Sequence, residues 1–203
     1  GRDMRKSVGV MASILAVFMV LCIGSVAFAD ALADIKAKGV LVAGVKDAVV
    51  PFGYVDEQSK QIVGFDVDIC REIATRLGVK LDLKPVTSAT RIPTLTEGMV
   101  DIAACTMTRK VARDDVIDFS ITYFMDGQKL LVKKGGKIKS YKDLVGKKVG
   151  TAKGSTSEIN MRNIQPKCTV LSFEGYPEAF LALKQGKVAA VTTDSVILVG
   201  LKG

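Results

Sequence analysis

The sequence predicts an α/β protein of two lobes, each a mostly parallel sheet with flanking helices. Two observations predict it. Short apolar runs alternate with segments of helical periodicity in two series along the chain, and a long extended stretch near residues 119–132 separates the series. Strands that alternate with helices pack as a parallel sheet with covering helices. A chain of 203 residues, 48% hydrophobic and 25% charged, has enough apolar surface to bury a sizeable core.

Residues 1–29 stand outside this pattern. Arg5 and Lys6 precede the apolar run VGVMASILAVFMVLCIGSVAFA, which ends in Ala27-Phe28-Ala29 before Asp30. A positive start, an apolar middle and a small-x-small end describe a secretory signal peptide cleaved after Ala29, and hence an exported protein. The rival reading is a membrane anchor, since the run is about long enough to span a bilayer. Lobe 1 is expected over residues 30–121 and lobe 2 over residues 122–203.

The elements follow in order. VLVAGV (40–45) is a short apolar strand, and GYVDEQSKQIVGF reads as a hairpin across a polar turn. DVDICREIATRLG (66–78) brings Val67, Ile69, Ile73, Ala74 and Leu77 near helical spacing and stops at Gly78. Strand KLDLKPV, the short helix IPTLTEG with Pro93 in its first turn, and strand VDIAAC complete the first series. After VIDFS and the extended YFMDGQKLLVKKG, the second series runs helix SYKDLVG, strand KKVGTA, helix SEINMRN, strand TVLSF, helix PEAFLALKQG, strand VAAVTT and helix DSVILVGL.

Composition removes several kinds of chemistry. The chain has no His, which excludes Ser-His and Cys-His catalysis and any zinc site built on imidazole. No metal or cofactor is expected. Loss of the leader takes away three positive charges and one negative, lowering the formal net charge from +8 to +6. The lysines are scattered and aromatics are few, so a nucleic-acid partner is not expected. Beyond the leader lie Cys70, Cys105 and Cys168, an odd number that argues against a complete disulfide framework. They read as small apolar residues.

Open parallel sheets bind ligands beyond the carboxyl ends of their strands. There the sequence sets Lys46 and Asp47, Ser88 and Arg91, Thr106 and Thr108, Ser155 and Thr156, and Asp194. Together they suit a small zwitterion with one extra negative charge. Each also has a plainer reading. GSTSE (154–158) is a capping box in which Ser155 caps a helix and Glu158 reaches back; free N–H groups at the same helix start favour an anion. The nearby glycines lack the Lys-Ser/Thr pair of a phosphate loop, which excludes a nucleotide site. Arg113 is either a surface residue or a two-pronged donor to a carboxylate. Asp194 is either a helix N-cap or the partner of an ammonium group. Phe52 is either core or an aromatic wall against a ligand.

GFDVDICREIATRL (64–77) closely resembles the signature helix of the family-3 bacterial extracellular solute-binding proteins, which serve ABC importers of polar amino acids. VPFGYVD, RIPTLTEGMVDIAACTMT, VIDFS, DLVGKKVGTAKGSTSE and YPEAFLALKQGKVAAVTTD follow the same family in the same order, over nearly all of residues 32–202. The resemblance implies a type II periplasmic-binding-protein fold that closes around one amino acid and delivers it to an inner-membrane permease with its ATPase. It also implies roles. Thr106 and Thr108 contact the head group, Arg113 clamps the α-carboxylate with the N–H groups near Ser155 and Thr156, and Asp194 takes the α-ammonium. Lys46 ahead of Pro51-Phe52, with Ser88 and Arg91, resembles the members that bind glutamate and aspartate, and would hold a distal carboxylate.

Other readings remain beside this one: the same fold binding glutamine or another polar amino acid, a cyclic-acid dehydratase of the same fold, and a sensory module. The chain departs from the family in three ways. TRKVAR lacks the Thr-Pro-Glu-Arg turn common there, and Cys70 and Cys105 stand where small residues such as Ala are more usual. Family members also continue for several elements after the helix at Asp194, so the C-terminal part of lobe 1 is expected to be missing from a chain that stops at Gly203.

Overall fold

The computed structural model describes residues 30–202. The expected leader, residues 1–29, lies outside the described residues. The chain divides into units of Gly1–Asp34 and Ile35–Gly203. Of the first, the described part is the start of helix α1 (Ala31–Lys38), where Leu32 N–H donates to Asp30 Oδ1 at 3.1 Å.

In the second unit, β1 (Val40–Val45) leads into a small antiparallel sheet of β2 (Ala48–Val49), β3 (Gly53–Val55) and β4 (Ile62–Val63), whose last two strands form the expected hairpin. Helix α2 (Phe65–Leu77) then returns the chain to β5 (Lys80–Pro85). It stops at Gly78 as expected, because Gly78 at φ 70° closes the helix in the left-handed conformation and donates to the carbonyls of Ala74 and Thr75. Helix α3 (Arg91–Thr96) and β6 (Ile102–Ala103) follow, then the one-turn α4 (Val111–Asp114). The first sheet has the order β5-β1-β6, all parallel, with Val40 opposite Lys80 and Ala43 opposite Ile102. Its core joins Ala43 and Val45 to Val67, Cys70 and Ala104. Cys70 and Cys105 are fully buried, the small-residue role expected of them, and no disulfide forms among the described residues.

Residues 119–127 have no regular structure and enter β7 (Gln128–Val132). The second series comprises a 3-10 turn (Tyr141–Leu144), β8 (Lys148–Ala152), α5 (Thr156–Ile164), β9 (Thr169–Phe173), α6 (Tyr176–Lys184), β10 (Ala190–Asp194) and α7 (Ser195–Gly200). The strands order as β7-β10-β8-β9, with β7 antiparallel and the rest parallel. One face packs Val191 and Val188 against Ala179, Ala182, Leu183 and Leu198; the other packs Val149 and Ala190 against Leu144, Met161 and Val170.

Three local expectations need correction. VDIAAC pairs as a strand only at Ile102–Ala103, because Asp101 turns its carboxylate onto the β1 ladder and Oδ2 accepts the Val42 N–H at 2.8 Å. SYKDLVG is a 3-10 turn, too short for an α-helix, and it carries a full capping box between Ser140 and Asp143. At GSTSE only half of the expected box forms. Ser155 Oγ accepts the Glu158 N–H at 3.1 Å, but Glu158 Oε2 takes the N–H of Gly154, at 2.8 Å, while that of Ser155 donates to the Ala152 carbonyl at 3.3 Å.

Candidate functional site

A cavity of about 410 Å³ opens where the turn after β6, residues 119–126, the start of α5 and the end of β10 meet. Of the residues singled out in the sequence, Phe52, Thr106, Thr108, Thr156 and Asp194 line it. Lys46, Ser88, Arg91, Arg113 and Ser155 are not among the lining residues, although Arg91 bonds the Thr106 carbonyl, Arg113 bonds that of Thr108, and Ser155 precedes Thr156.

The turn after β6 meets the start of α5 directly. Thr108 and Thr156 bring their hydroxyls to 3.1 Å, Lys110 Nζ donates to Asn160 Oδ1 at 3.3 Å, and Arg113 reaches both sides. Its Nη1 donates to the Thr108 carbonyl at 2.6 Å and its Nη2 to the Gly154 carbonyl at 3.5 Å. Burial, and then the Arg91 charge, hold the Arg113 pKa below its usual value. Ser155 is buried with its hydroxyl spent on the cap, so any anion at this end meets the N–H groups of Thr156 and Ser157, which have no partner within a helix. Gly154 makes the approach possible. Its φ is 73°, and a Cβ there would stand 2.8 Å from Ala89 Cα and 3.0 Å from the Ser88 carbonyl oxygen.

A second polar cluster meets the cavity wall through Thr106. Lys46 and Ser88 are buried, and Lys46 Nζ donates to Ser88 Oγ at 3.1 Å. Burial, reinforced by the Arg91 charge, lowers the Lys46 pKa from 10.5 to about 7. Arg91, the first residue of α3, is 2% exposed, and its Nη1 donates to the carbonyls of Cys105 at 2.9 Å and Thr106 at 3.0 Å. Its Nε is buried without a partner. Neither cation forms an ion pair among the described residues.

Phe52 combines its two readings. It packs in a core cluster with Val49, Ala152, Tyr176 and Ile197 and also faces the cavity, with its ring 4.9 Å from that of Phe124 at 85°. For Asp194 the plain reading fails. It stands in the N-cap position of α7 but makes no side-chain cap bond. Asp126 caps instead, accepting the Val196 N–H at 2.8 Å and the Ser195 hydroxyl. Burial, and then the charge of Asp126, raise the Asp194 pKa.

Sequence reasoning missed Asp66, Tyr123 and Asp126, all of which line the cavity. Asp66 is fully buried; its Oδ2 accepts the Thr106 N–H and its Oδ1 the Tyr123 hydroxyl, each at 3.0 Å. A carboxylate in the first turn of α2 was visible as a helix-start signal, but its distant partners were not. Among the described residues, no cluster of His, Cys, Asp and Glu could hold a metal, and no helix is long and apolar enough to cross a membrane.

Comparison with known proteins fits this geometry into a lineage. The family described as bacterial extracellular solute-binding proteins, family 3, matches residues 41–193. The glutamine-binding protein of Geobacillus stearothermophilus is 47% identical over 176 residues, 85% of this chain and 67% of that protein. The ABC transporter glutamine-binding protein GlnH of Bacillus subtilis is 48% identical over 176 residues, 85% of this chain and 64% of that protein. A glutamate/aspartate import solute-binding protein of Salmonella typhimurium is 34% identical over 188 residues, 87% of this chain and 62% of that protein. The chain thus spans about two thirds of the length of these relatives. Among solved structures, the arginine-bound form of truncated ArgBP from T. maritima matches with a TM-score of 0.79 at 38% identity, covering 83% of this chain and 79% of that one.

Proposed function

The chain belongs to the bacterial extracellular solute-binding proteins, family 3, and from that premise we propose that it is the periplasmic, non-enzymatic binding component of an amino-acid ABC importer, which takes glutamine and passes it to a membrane permease with its ATPase. The lobes are residues 30–121 and 122–203. The ligand lies in the cavity between the turn after β6 and the start of α5. Arg113 and the first N–H groups of α5, at Thr156 and Ser157, meet its α-carboxylate. Thr106 and Thr108 add polar contacts. Asp194 takes the α-ammonium, Phe52 forms an apolar wall, and the side chain reaches toward Lys46 and Ser88. No cofactor, metal or nucleic acid takes part.

One observation carries glutamine ahead of an acidic ligand: Arg91 is committed to the carbonyls of Cys105 and Thr106. The Nη1 edge of the guanidinium expected for a distal carboxylate is therefore already engaged, and Lys46 with Ser88 is left as a pair suited to an amide. The names of the two relatives at 47% and 48% identity support the same reading. Glutamate or aspartate is the second reading. It is favoured by two buried cations, Lys46 and Arg91, that have no ion-pair partner among the described residues and that an anionic side chain would compensate.

The test is a thermal melt of the full chain with L-glutamine, L-glutamate, L-aspartate and L-arginine, each in excess, backed by titration calorimetry. A ligand selective for the folded state raises the midpoint by mass action. Glutamine is expected to give the largest shift. A response confined to glutamate and aspartate selects the second reading, one confined to arginine overturns the side-chain assignment, and no saturable binding overturns the function.

A further inference from the structure

The backbone of Thr106 is gripped from both sides. Asp66 Oδ2 accepts its N–H at 3.0 Å, and Arg91 Nη1 donates to its carbonyl at 3.0 Å. Thr106 needs the grip. Its φ is 53°, in the left-handed region, where a β-branched residue is an outlier and costs conformational energy unless neighbours hold it. Asp66 has a second hold: its other oxygen accepts the hydroxyl of Tyr123, in the connecting segment between the two sheets. Burial first, and then the charge of Asp66, push the Tyr123 phenol well above its usual value, so it remains a donor across the physiological range. Asp66 is therefore one fully buried carboxylate with both oxygens occupied, and it joins the start of α2, the turn after β6 and the connecting segment.

We propose that Asp66 is a positioning residue for ligand binding: its carboxylate holds the Thr106 turn in its left-handed form and ties that turn to Tyr123 of the connecting segment. This deepens the reading of the cavity as an amino-acid site and rests on it. Asp66 need not touch the ligand. It sets the backbone from which Thr106, Thr108 and Arg113 project, and it links that backbone to the segment that leads into the second sheet.

The experiment measures glutamine and glutamate affinity and the melting midpoint of the full chain for wild type, Asp66→Ala, Asp66→Asn, Thr106→Gly and the Asp66→Ala/Thr106→Gly double variant. Asp66→Ala is expected to weaken binding tenfold or more. Asp66→Asn keeps an acceptor for the Thr106 N–H and can donate to the Tyr123 oxygen, so it is expected within about threefold of wild type. Glycine adopts a positive φ without help, so the double variant is expected to bind within about threefold of Thr106→Gly alone. A residue that only stabilised the fold would show no such specific rescue. Should Asp66→Ala fail to fold, Tyr123→Phe removes one hold without touching the core and is expected to weaken binding threefold or more at a nearly unchanged midpoint. A wild type that binds with Asp66→Ala within twofold of it, or a double variant no better than Asp66→Ala, overturns this inference alone. Unchanged affinity in Tyr123→Phe overturns the tie to the connecting segment. A wild type that binds no amino acid overturns the functional reading, and this inference with it.

Discussion

The carboxylate of Asp126 occupies the N-terminus of α7, accepting the Val196 N–H at 2.8 Å, while Asp194, the residue in the N-cap position, makes no such bond. Capping is thus supplied across 70 residues of sequence, and the local aspartate keeps its oxygens for the cavity. The two carboxylates also respond oppositely to pH. Burial pushes Asp126 up, but hydrogen bonds from the Ser195 hydroxyl and the N–H groups of Val196 and Gly127 outweigh it and hold its pKa below the ordinary value. Its stabilisation is present above the unfolded pKa and lost as pH falls through the folded one. Asp194 is raised, so the folded state binds the extra proton and stability falls as pH rises through that window.

Separating the two residues by mutation follows directly. Asp126→Ala is expected to cost about 1 kcal/mol of stability through the lost cap, measured by chemical denaturation. Asp194→Asn is expected to hold or slightly raise the denaturation midpoint, because it removes a charge that burial and Asp126 disfavour, and to weaken amino-acid affinity by roughly tenfold or more if the side chain meets the ligand ammonium.

Lys46 makes stability rise with pH. With its pKa lowered from 10.5 to about 7, the unfolded chain binds more protons than the folded one between those values. Stability therefore climbs from about pH 7 toward pH 10.5, by at most roughly 5 kcal/mol at the upper end. Melting curves of Lys46→Met are expected to lose that slope. Calorimetry at pH 8 in buffers of different ionisation enthalpy then reports on the ligand: glutamate should bind with proton uptake as its carboxylate recharges Lys46, and glutamine without it.

Gly154→Ala should weaken binding. A Cβ there would press on Ala89 Cα at 2.8 Å, and the left-handed backbone alone costs about 1–2 kcal/mol for a residue other than glycine. Affinity is expected to fall tenfold or more. Unchanged affinity in titration calorimetry would mean that the contact between Gly154 and the Ser88-Ala89 turn plays no part in the bound state.

Arg91→Ala is expected to destabilise the chain by about 3 kcal/mol or more, because the Thr106 carbonyl loses its donor, the Cys105 carbonyl keeps only the Thr106 hydroxyl, and a buried volume empties. The competing outcome is a midpoint that holds while glutamate affinity alone collapses. That result would return Arg91 to the role of a ligand-binding residue.

Local patterns made most of the fold legible. The strand VLVAGV, the helix ending at Gly78 and the restart of the alternation at KKVGTA came from residue spacing and glycine, which act within a few residues. Where spacing misled, a local polar group had rewired the backbone: Asp101 shortened β6, and Glu158 chose the Gly154 N–H over that of Ser155. The candidate site was legible in part. Thr106, Thr108, Thr156 and Asp194 lie at strand ends or helix starts, where position alone marks them.

Taken alone, the sequence determined the order and type of most elements and the strand-end positions of the polar residues, because hydrophobic periodicity and turn chemistry are short-range. Partnership was decided by the tertiary structure. Asp66 meets Thr106 across 40 residues and Tyr123 across 57, Lys46 meets Ser88 across 42, and Asp126 caps α7 from the connecting segment. A hydrogen bond between such distant groups leaves no spacing in the chain, so whether Asp126 or Asp194 caps α7, and which carbonyls Arg91 meets, rests on which groups the packed sheets bring within 3 Å or so.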